Sequence, residues 1–267
     1  MSTEMNEILH QAIHSRAMMP PVNVLGVTVD RLTLDTLIEQ ALALNPGDKT
    51  ATVMYANIHV LNTSRRDSGL RPILNNADIV YCDGSGVRLG AWLLGHRIPP
   101  RMTGADWMDP LCAACAGRGT SLYLLGSRPG VASLAADVLQ ARHQGLNIVG
   151  THHGYLQDPK ISAAAITSIN EARPNILLVG MGTPIQERWI SDHRHELEVP
   201  VVWAVGALFD FIGGFQRRAP LWMLDHHLEW LHRFWVDPRR MWRRYIVGNP
   251  VFIWRVVMQR LGLLRLV

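Results

Sequence analysis

The chemistry this chain could perform is concentrated between Ala77 and Leu94. Ile79 to Cys82 is a short apolar run that reads as a buried strand. Asp83-Gly84-Ser85-Gly86 interrupts it, and Val87 to Leu94 resumes at helical spacing. A strand feeding a Gly-rich turn and then a helix aims backbone N–H groups at one point, which suits a diphosphate. An aspartate at that point repels phosphate, so Asp83 suggests proton chemistry or contact with a sugar hydroxyl. The same acid could equally cap the helix that follows. The stretch alone leaves both readings open.

Other candidates are scattered along the chain. Asn57 follows the apolar run Thr50 to Tyr55. Gln186 follows Gly180-Met-Gly-Thr-Pro, where it either projects across the end of a sheet or pairs with Thr183 in a capping box. Arg101 precedes a turn and could clamp a phosphate bidentately, although a solvated arginine would look the same. His152-His153 and His226-His227 are adjacent pairs, which on a strand point to opposite faces, so no metal site is assigned. No Asp-x-Asp pair is present. Cys112 and Cys115 have redox or metal spacing but lie in an Ala-rich helical run, where packing is the simpler reading.

These residues need elements to hold them. Residues 1 to about 20 read as a lead-in and Val22 to Val29 as a strand pair. Helices are expected over Thr33–Leu44, from His59, over Asp106–Ala116, Val131–Arg142, Ile161–Ala172 and Arg188–Leu197. Strands are expected at Thr50–Tyr55, Ile79–Cys82, Ser121–Leu125, Ile148–His152, Asn175–Val179 and Val201–Val205. That alternation implies a parallel sheet with helices on both faces. Ligands of such sheets bind beyond the strand carboxyl ends, where Asn57, Asp83, Gly126, Gly180 and Gly206 would sit. Neither Gly-x-Gly-x-x-Gly nor a Walker sequence occurs, which disfavours dinucleotide and nucleoside-triphosphatase readings.

The net charge of +4 is unevenly spread. From Phe211 onward there are ten arginines against three acids, and five of the nine tryptophans. This divides the chain into residues 1–210, an α/β unit, and residues 211–267, a basic, Trp-rich helical appendage. An anionic partner is expected for the appendage, either a membrane surface or nucleic acid. Arg239/Arg240 and Arg243/Arg244 are four apart and would share one side of a helix, with Trp235 and Trp242 beside them. Farther on, Arg255, Gln259, Gly262 and Arg265 would form one helical stripe. No basic, apolar leader opens the sequence and no run of about 18 apolar residues occurs, so a cytoplasmic protein is expected. Three cysteines argue against a disulfide framework.

Asn57, the Ala77–Gly86 stretch, Arg101-Met-Thr-Gly-Ala-Asp106, Leu124-Leu-Gly-Ser-Arg-Pro-Gly130, Gly180-Met-Gly-Thr-Pro-Ile-Gln-Glu187 and Val205–Gly214 occur in this order, followed by Arg218-Ala-Pro and Leu228-Glu-Trp-Leu-His-Arg. Together they resemble the WecG/TagA/CpsF glycosyltransferases. The resemblance implies a Rossmann-like α/β domain and an inverting, metal-independent transfer. A sugar would pass from a UDP-sugar co-substrate, with no other cofactor, to a polyprenyl-diphosphate-linked saccharide at the inner membrane face. It also implies roles for residues. Asp83 would be the general base, with Asn57 and Gln186 in the reaction centre. Arg101 would bind phosphate, and Gly84, Thr103, Asp106, Gly126, Gly180 and Gly182 would surround the substrates. Tyr55 would join them, although the family commonly has threonine there. Such a protein would sit peripherally on an anionic membrane surface, surface-polysaccharide assembly being its setting and a homo-oligomer compatible with it. The rival is a nucleic-acid-binding module using the Arg/Trp tail. The acidic and amide rim residues argue against nucleic acid.

Overall fold

The computed structural model describes residues 19–44, 47, 49–100, 102–216, 220, 223, 229–236 and 238–264. The lead-in before residue 19, Arg101 and Arg265 therefore lie outside the described residues.

Six strands form one parallel sheet: β3 (Ala51–Ala56), β4 (Ile79–Cys82), β5 (Ser121–Gly126), β6 (Asn147–His152), β7 (Ile176–Gly180) and β8 (Val201–Ala204). Their spatial order is β4-β3-β8-β7-β5-β6. Every residue of β3, β4, β5, β7 and β8 is buried. Such continuously apolar strands are those of a parallel sheet covered by helices on both faces. The expected α/β layering is therefore present. A separate antiparallel hairpin joins β1 (Val22–Val24) to β2 (Val27–Val29). Just after it, Asp30 closes the outer edge of β4: its N–H donates to the Val80 carbonyl at 2.8 Å, and its carboxylate accepts from Val80 N at 2.7 Å.

The helices that concern the site are α1 (Leu34–Ala43), α2 (Ile58–Ser64), α3 (Leu70–Asn75), α4 (Ser85–Leu93), α5 (Gly104–Arg118), α6 (Val131–Arg142), α7 (Pro159–Ala172), α8 (Ile185–His193) and α9 (Leu208–Ile212). Cys112 and Cys115 are buried on α5, and burial holds both thiols well above their ordinary range, as packing residues require. Trp107 of α5 stacks on Trp203 of β8 at 4.3 Å and donates its indole N–H to the Tyr81 hydroxyl at 3.2 Å. This aromatic stack anchors the start of α5 against the centre of the sheet.

The C-terminal part is helical: α10 (Glu229–Val236), then α11 (Pro238–Trp242), a π-helical turn (Arg243–Val247) and α12 (Gly248–Arg260), the last three following one another directly. Pro250 explains the wide turn: it has no N–H for the Ile246 carbonyl, and its ring crowds that carbonyl. Helix α12 packs on α2 and α4. Phe252 and Val256 lie against Gly90, where a Cβ would stand 2.6 Å from the Phe252 ring. Polar bonds lock the same face. Asn62, 6% exposed, donates to the Gly248 carbonyl at 2.8 Å and accepts from Arg255 Nη1 at 2.7 Å. Gln259 pairs with the β1–β2 hairpin through Leu25 N and the Asn23 carbonyl. Arg255 and Gln259 thus form a stripe, as expected, but it faces the protein. The outward stripe is apolar instead: Trp254 is 61% exposed, and Val257, Leu261 and Leu263 are exposed with it. Among the described residues no helix is long and apolar enough to cross a membrane.

Candidate active site

A cavity of about 160 Å³ opens at the carboxyl ends of β3, β4, β7 and β8. It is smaller than the roughly 300–1,000 Å³ of pockets that enclose a drug-sized ligand, so it suits one sugar-sized part of a substrate. Tyr55, Asn57, Tyr81, Asp83, Thr103, Gly182, Thr183, Gly206, Phe211 and Arg244 contribute to its wall.

Asp83 follows β4 directly. The N-cap of α4 is Gly84, with φ of 87° and no side-chain cap bond, so Asp83 is not the helix cap. Its Oδ2 accepts from Asn57 Nδ2 at 2.9 Å. Asn57 is itself the N-cap of α2, with Oδ1 accepting from Val60 N at 3.0 Å. Capping fixes which end of the amide faces Asp83, and so leaves the carboxylate directed into the cavity rim. Burial pushes the neighbouring Cys82 thiol up to about 12, with the Asp83 charge adding to the effect, which keeps that sulfur out of nucleophilic chemistry.

A second polar cluster reaches the same cavity through Tyr55 and Thr183. Gln186, fully buried, does not project across the rim and forms no capping box, α8 starting from Pro184 without a side-chain cap. Its Oε1 accepts from Gly182 N at 3.2 Å and Gly206 N at 3.0 Å. Its Nε2 donates to the Tyr55 hydroxyl at 3.1 Å and to Glu187 Oε1 at 2.8 Å. Thr183 Oγ1 donates to the same Glu187 oxygen at 2.8 Å and lies 3.2 Å from the Tyr55 hydroxyl. Burial raises the Glu187 carboxyl above the usual range, against the lowering effect of the Gln186 and Thr183 bonds. Burial likewise raises the Tyr55 phenol, with the Glu187 and Asp83 charges adding and Arg244 opposing.

The remaining expected residues divide. Thr103 lines the cavity and Asp106 does not; the Asp106 carboxylate accepts from Thr103 N at 2.9 Å and Thr103 Oγ1 at 2.8 Å, anchoring the start of α5. Gly182 lines the cavity, while Gly126 and Gly180 belong to the neighbouring rim between β5 and β7. A Cβ at Gly126 would collide with the Gly180 carbonyl, so that rim closes only with glycine. Gly84 forms the turn into α4. Of the tail residues, Arg239, Arg243, Trp235 and Trp242 are exposed, Trp235 at 81%. The Arg240 side chain lies outside the described residues. Arg244 leaves the expected group: the π turn carries it into the cavity while Arg243 stays outside, over the Trp242 ring at 5.6 Å. Sequence reading missed Thr183 and Arg244 as wall residues. Thr183 had a signal, its place in the rim turn before Pro184, whereas Arg244 had none of its own.

A strand-end acid held by an amide, with an arginine in the wall of the same small cavity, is equipped for proton removal beside developing negative charge. Residues 22–265 match the Glycosyl transferase WecG/TagA/CpsF family. The chain belongs to this family. Members curated in Staphylococcus aureus strains NCTC 8325 and MW2 are named N-acetylglucosaminyldiphosphoundecaprenol N-acetyl-beta-D-mannosaminyltransferase. Each is 26% identical over 248 residues, covering 91% of this chain and 95% of the relative. The protein is accordingly a glycosyltransferase, and the WecG/TagA/CpsF assignment spans both the sheet and the C-terminal helices. Among the described residues no group of three or more His, Cys, Asp or Glu side chains is placed to hold a metal ion.

Proposed function

We propose that this chain transfers a sugar, with inversion, from a UDP-sugar to a hydroxyl of a polyprenyl-diphosphate-linked saccharide. The Asn57–Asp83 pair in the cavity carries this reading. An acceptor hydroxyl bonded to Asp83 gives up its proton to the carboxylate as its oxygen attacks the anomeric carbon. The bond from that carbon to the UDP oxygen breaks with its electron pair on UDP. A single displacement inverts the centre. Arg244 supports the charge that develops on the leaving diphosphate, in place of a metal ion.

The nucleotide fits the rim beside the cavity. The order of strands reverses between β5, whose connection leads outward to β6, and β7, whose connection leads back to β8. Doubly wound sheets bind nucleotides at such a reversal. Ser127 sits there with φ of 56°, and its buried hydroxyl has no partner among the described residues. Arg128 stands over the Phe215 ring, 5.2 Å away.

A lipid-linked acceptor would bring residues 211–267 to a membrane. The outward apolar stripe Trp254, Val257 and Leu261, with exposed Trp235, Arg239 and Arg243, suits an anionic interface. The appendage would then be peripheral on the cytoplasmic face. The relatives' names support a lipid-diphosphate saccharide as acceptor. The test is UDP release from a panel of UDP-sugars with a short-chain prenyl-diphospho-N-acetylglucosamine. Release with one or two donors, dependent on acceptor, is expected; no acceptor-dependent release with any donor overturns the reading.

A further inference from the structure

The hydrogen bonds around Gln186 have a direction that can be worked out proton by proton. Gln186 Oε1 accepts from two backbone N–H groups, those of Gly182 and Gly206. Turning the amide over would set N–H against N–H twice and oxygen against the Glu187 carboxyl, so its orientation is fixed. The two Nε2 protons therefore go to Tyr55 Oη and Glu187 Oε1. Thr183 spends its only proton on Glu187 Oε1. The contact of 3.2 Å between Tyr55 Oη and Thr183 Oγ1 must then use the Tyr55 proton. The directions hold with Glu187 ionised, and equally with its proton on buried Oε2, which has no partner among the described residues.

Each hydroxyl has thus spent its proton inside the protein. Each has two lone pairs, of which one is used: Tyr55 accepts from Gln186, and Thr183 accepts from Tyr55. One lone pair remains on each, and both residues line the cavity. The backbone donors of Gly182 and Gly206, which could otherwise face a phosphate, are consumed by Gln186. The Tyr55–Thr183 edge of the cavity consequently takes hydrogen-bond donors and offers none.

We propose that the Tyr55–Thr183 edge is a sugar-reading site of fixed polarity, which accepts hydrogen bonds from a glycosyl hydroxyl or acetamido N–H and donates none. The proposal rests on the reading of the chain as a transferase using UDP-sugars, and names which part of the substrate the edge recognises. That part belongs either to the donor sugar or to the acceptor sugar, which share this chemistry. Glu187 and Gln186 act as positioning residues behind the edge. Position 206 must be glycine for the arrangement, since a Cβ there would stand 2.9 Å from the Tyr55 hydroxyl.

The experiment compares wild type with Thr183→Val, Thr183→Ser and Tyr55→Phe, each checked for folding by circular dichroism. Calorimetry measures binding of UDP and of UDP-N-acetylmannosamine; steady-state kinetics measures KM for short-chain prenyl-diphospho-N-acetylglucosamine. An unpaired ligand hydroxyl in a buried site weakens binding by about tenfold. Thr183→Val and Tyr55→Phe should show that loss for one sugar-bearing probe while UDP affinity stays within about twofold. Thr183→Ser, which keeps the oxygen, should restore it. Loss for UDP-N-acetylmannosamine assigns the edge to the donor sugar, and loss confined to the acceptor KM assigns it to the acceptor. An equal loss for UDP alone, or Thr183→Val behaving as wild type toward both sugar probes, overturns the proposal while leaving the transferase reading intact. If Thr183→Val fails to fold, Tyr55→Phe and Thr183→Ser decide by the same criteria. Wild type that transfers no sugar removes the reading and the proposal together.

Discussion

Asn57 Nδ2 donates to Asp83 Oδ2 at 2.9 Å, while its own Oδ1 caps α2 at Val60 N. One amide therefore joins helix initiation to the aim of the proposed base. The pairing survives an isosteric change, because an asparagine at 83 still offers Asn57 an oxygen. Asp83→Asn should fold and bind UDP as wild type does, with turnover lower by about 10²–10⁴. Wild-type turnover in that variant would remove Asp83 from the mechanism.

Arg243 and Arg244 are neighbours with opposite surroundings, one exposed and one in the cavity wall. Arg244→Gln should slow transfer to a soluble, short-chain acceptor by about 10²-fold. Changing Arg239 and Arg243 to glutamine should leave that rate near wild type and weaken binding to anionic liposomes by about 1 kcal/mol per arginine at low salt. If Arg244→Gln affects only liposome binding, the cavity assignment fails.

Burial raises the Glu187 carboxyl, so the folded protein holds that proton to a higher pH than the unfolded chain does. The associated stability is full below the unfolded value near 4.5 and is lost as pH rises through the folded value. Glu187→Gln keeps the acceptor for Gln186 and Thr183 and has no proton to lose. Denaturant unfolding of both proteins at pH 5 and pH 8 should show wild type losing stability relative to the variant. The loss should be about 1.4 kcal/mol for each tenfold by which the folded carboxyl holds its proton more tightly than the unfolded one. A difference that does not vary with pH would contradict the raised carboxyl.

Asn62 is the buried link between α2 and α12. Asn62→Leu leaves Arg255 and the Gly248 carbonyl without that partner, at a cost of about 1–3 kcal/mol. Tryptic cleavage at the C-terminal arginines should accelerate, with the sheet core still protected. Unchanged cleavage would show that the apolar contacts at Gly90 hold the helix alone.

With Arg244 in the role of charge stabiliser, activity should be unaffected by EDTA in metal-free buffer. Loss on chelation, restored by manganese or magnesium, would assign the leaving-group charge to a metal instead.

Much of the scaffold was legible because it rests on local signals. Apolar runs ending in glycine marked the strands, and both Asn57 and Asp83 reached the rim where those runs placed them. The order of strands was not legible, since β8 inserts between β3 and β7 through pairings far apart in sequence. The direction the tail's stripe faces was not legible for a different reason. Arg255 and Gln259 are polar, and polar stripes ordinarily face water; here Asn62 and the hairpin satisfy them, and Trp254 is turned outward. Gln186 likewise resembles a rim residue in sequence, yet two backbone N–H groups hold it inside.

The π turn at Arg243–Val247 makes chain length a determinant in its own right. Upstream of it the helix carries Arg239 on its exposed surface; within it Arg244 meets the cavity; downstream Phe252 and Val256 seat the helix and Trp254 looks away. An α-helix advances about 100° per residue, so removing one residue from the turn would rotate everything beyond it by that angle against everything before. Substitutions on the outer surface of this segment are therefore compatible with an intact site, whereas a single insertion or deletion there would put the cavity arginine and the docked face out of phase.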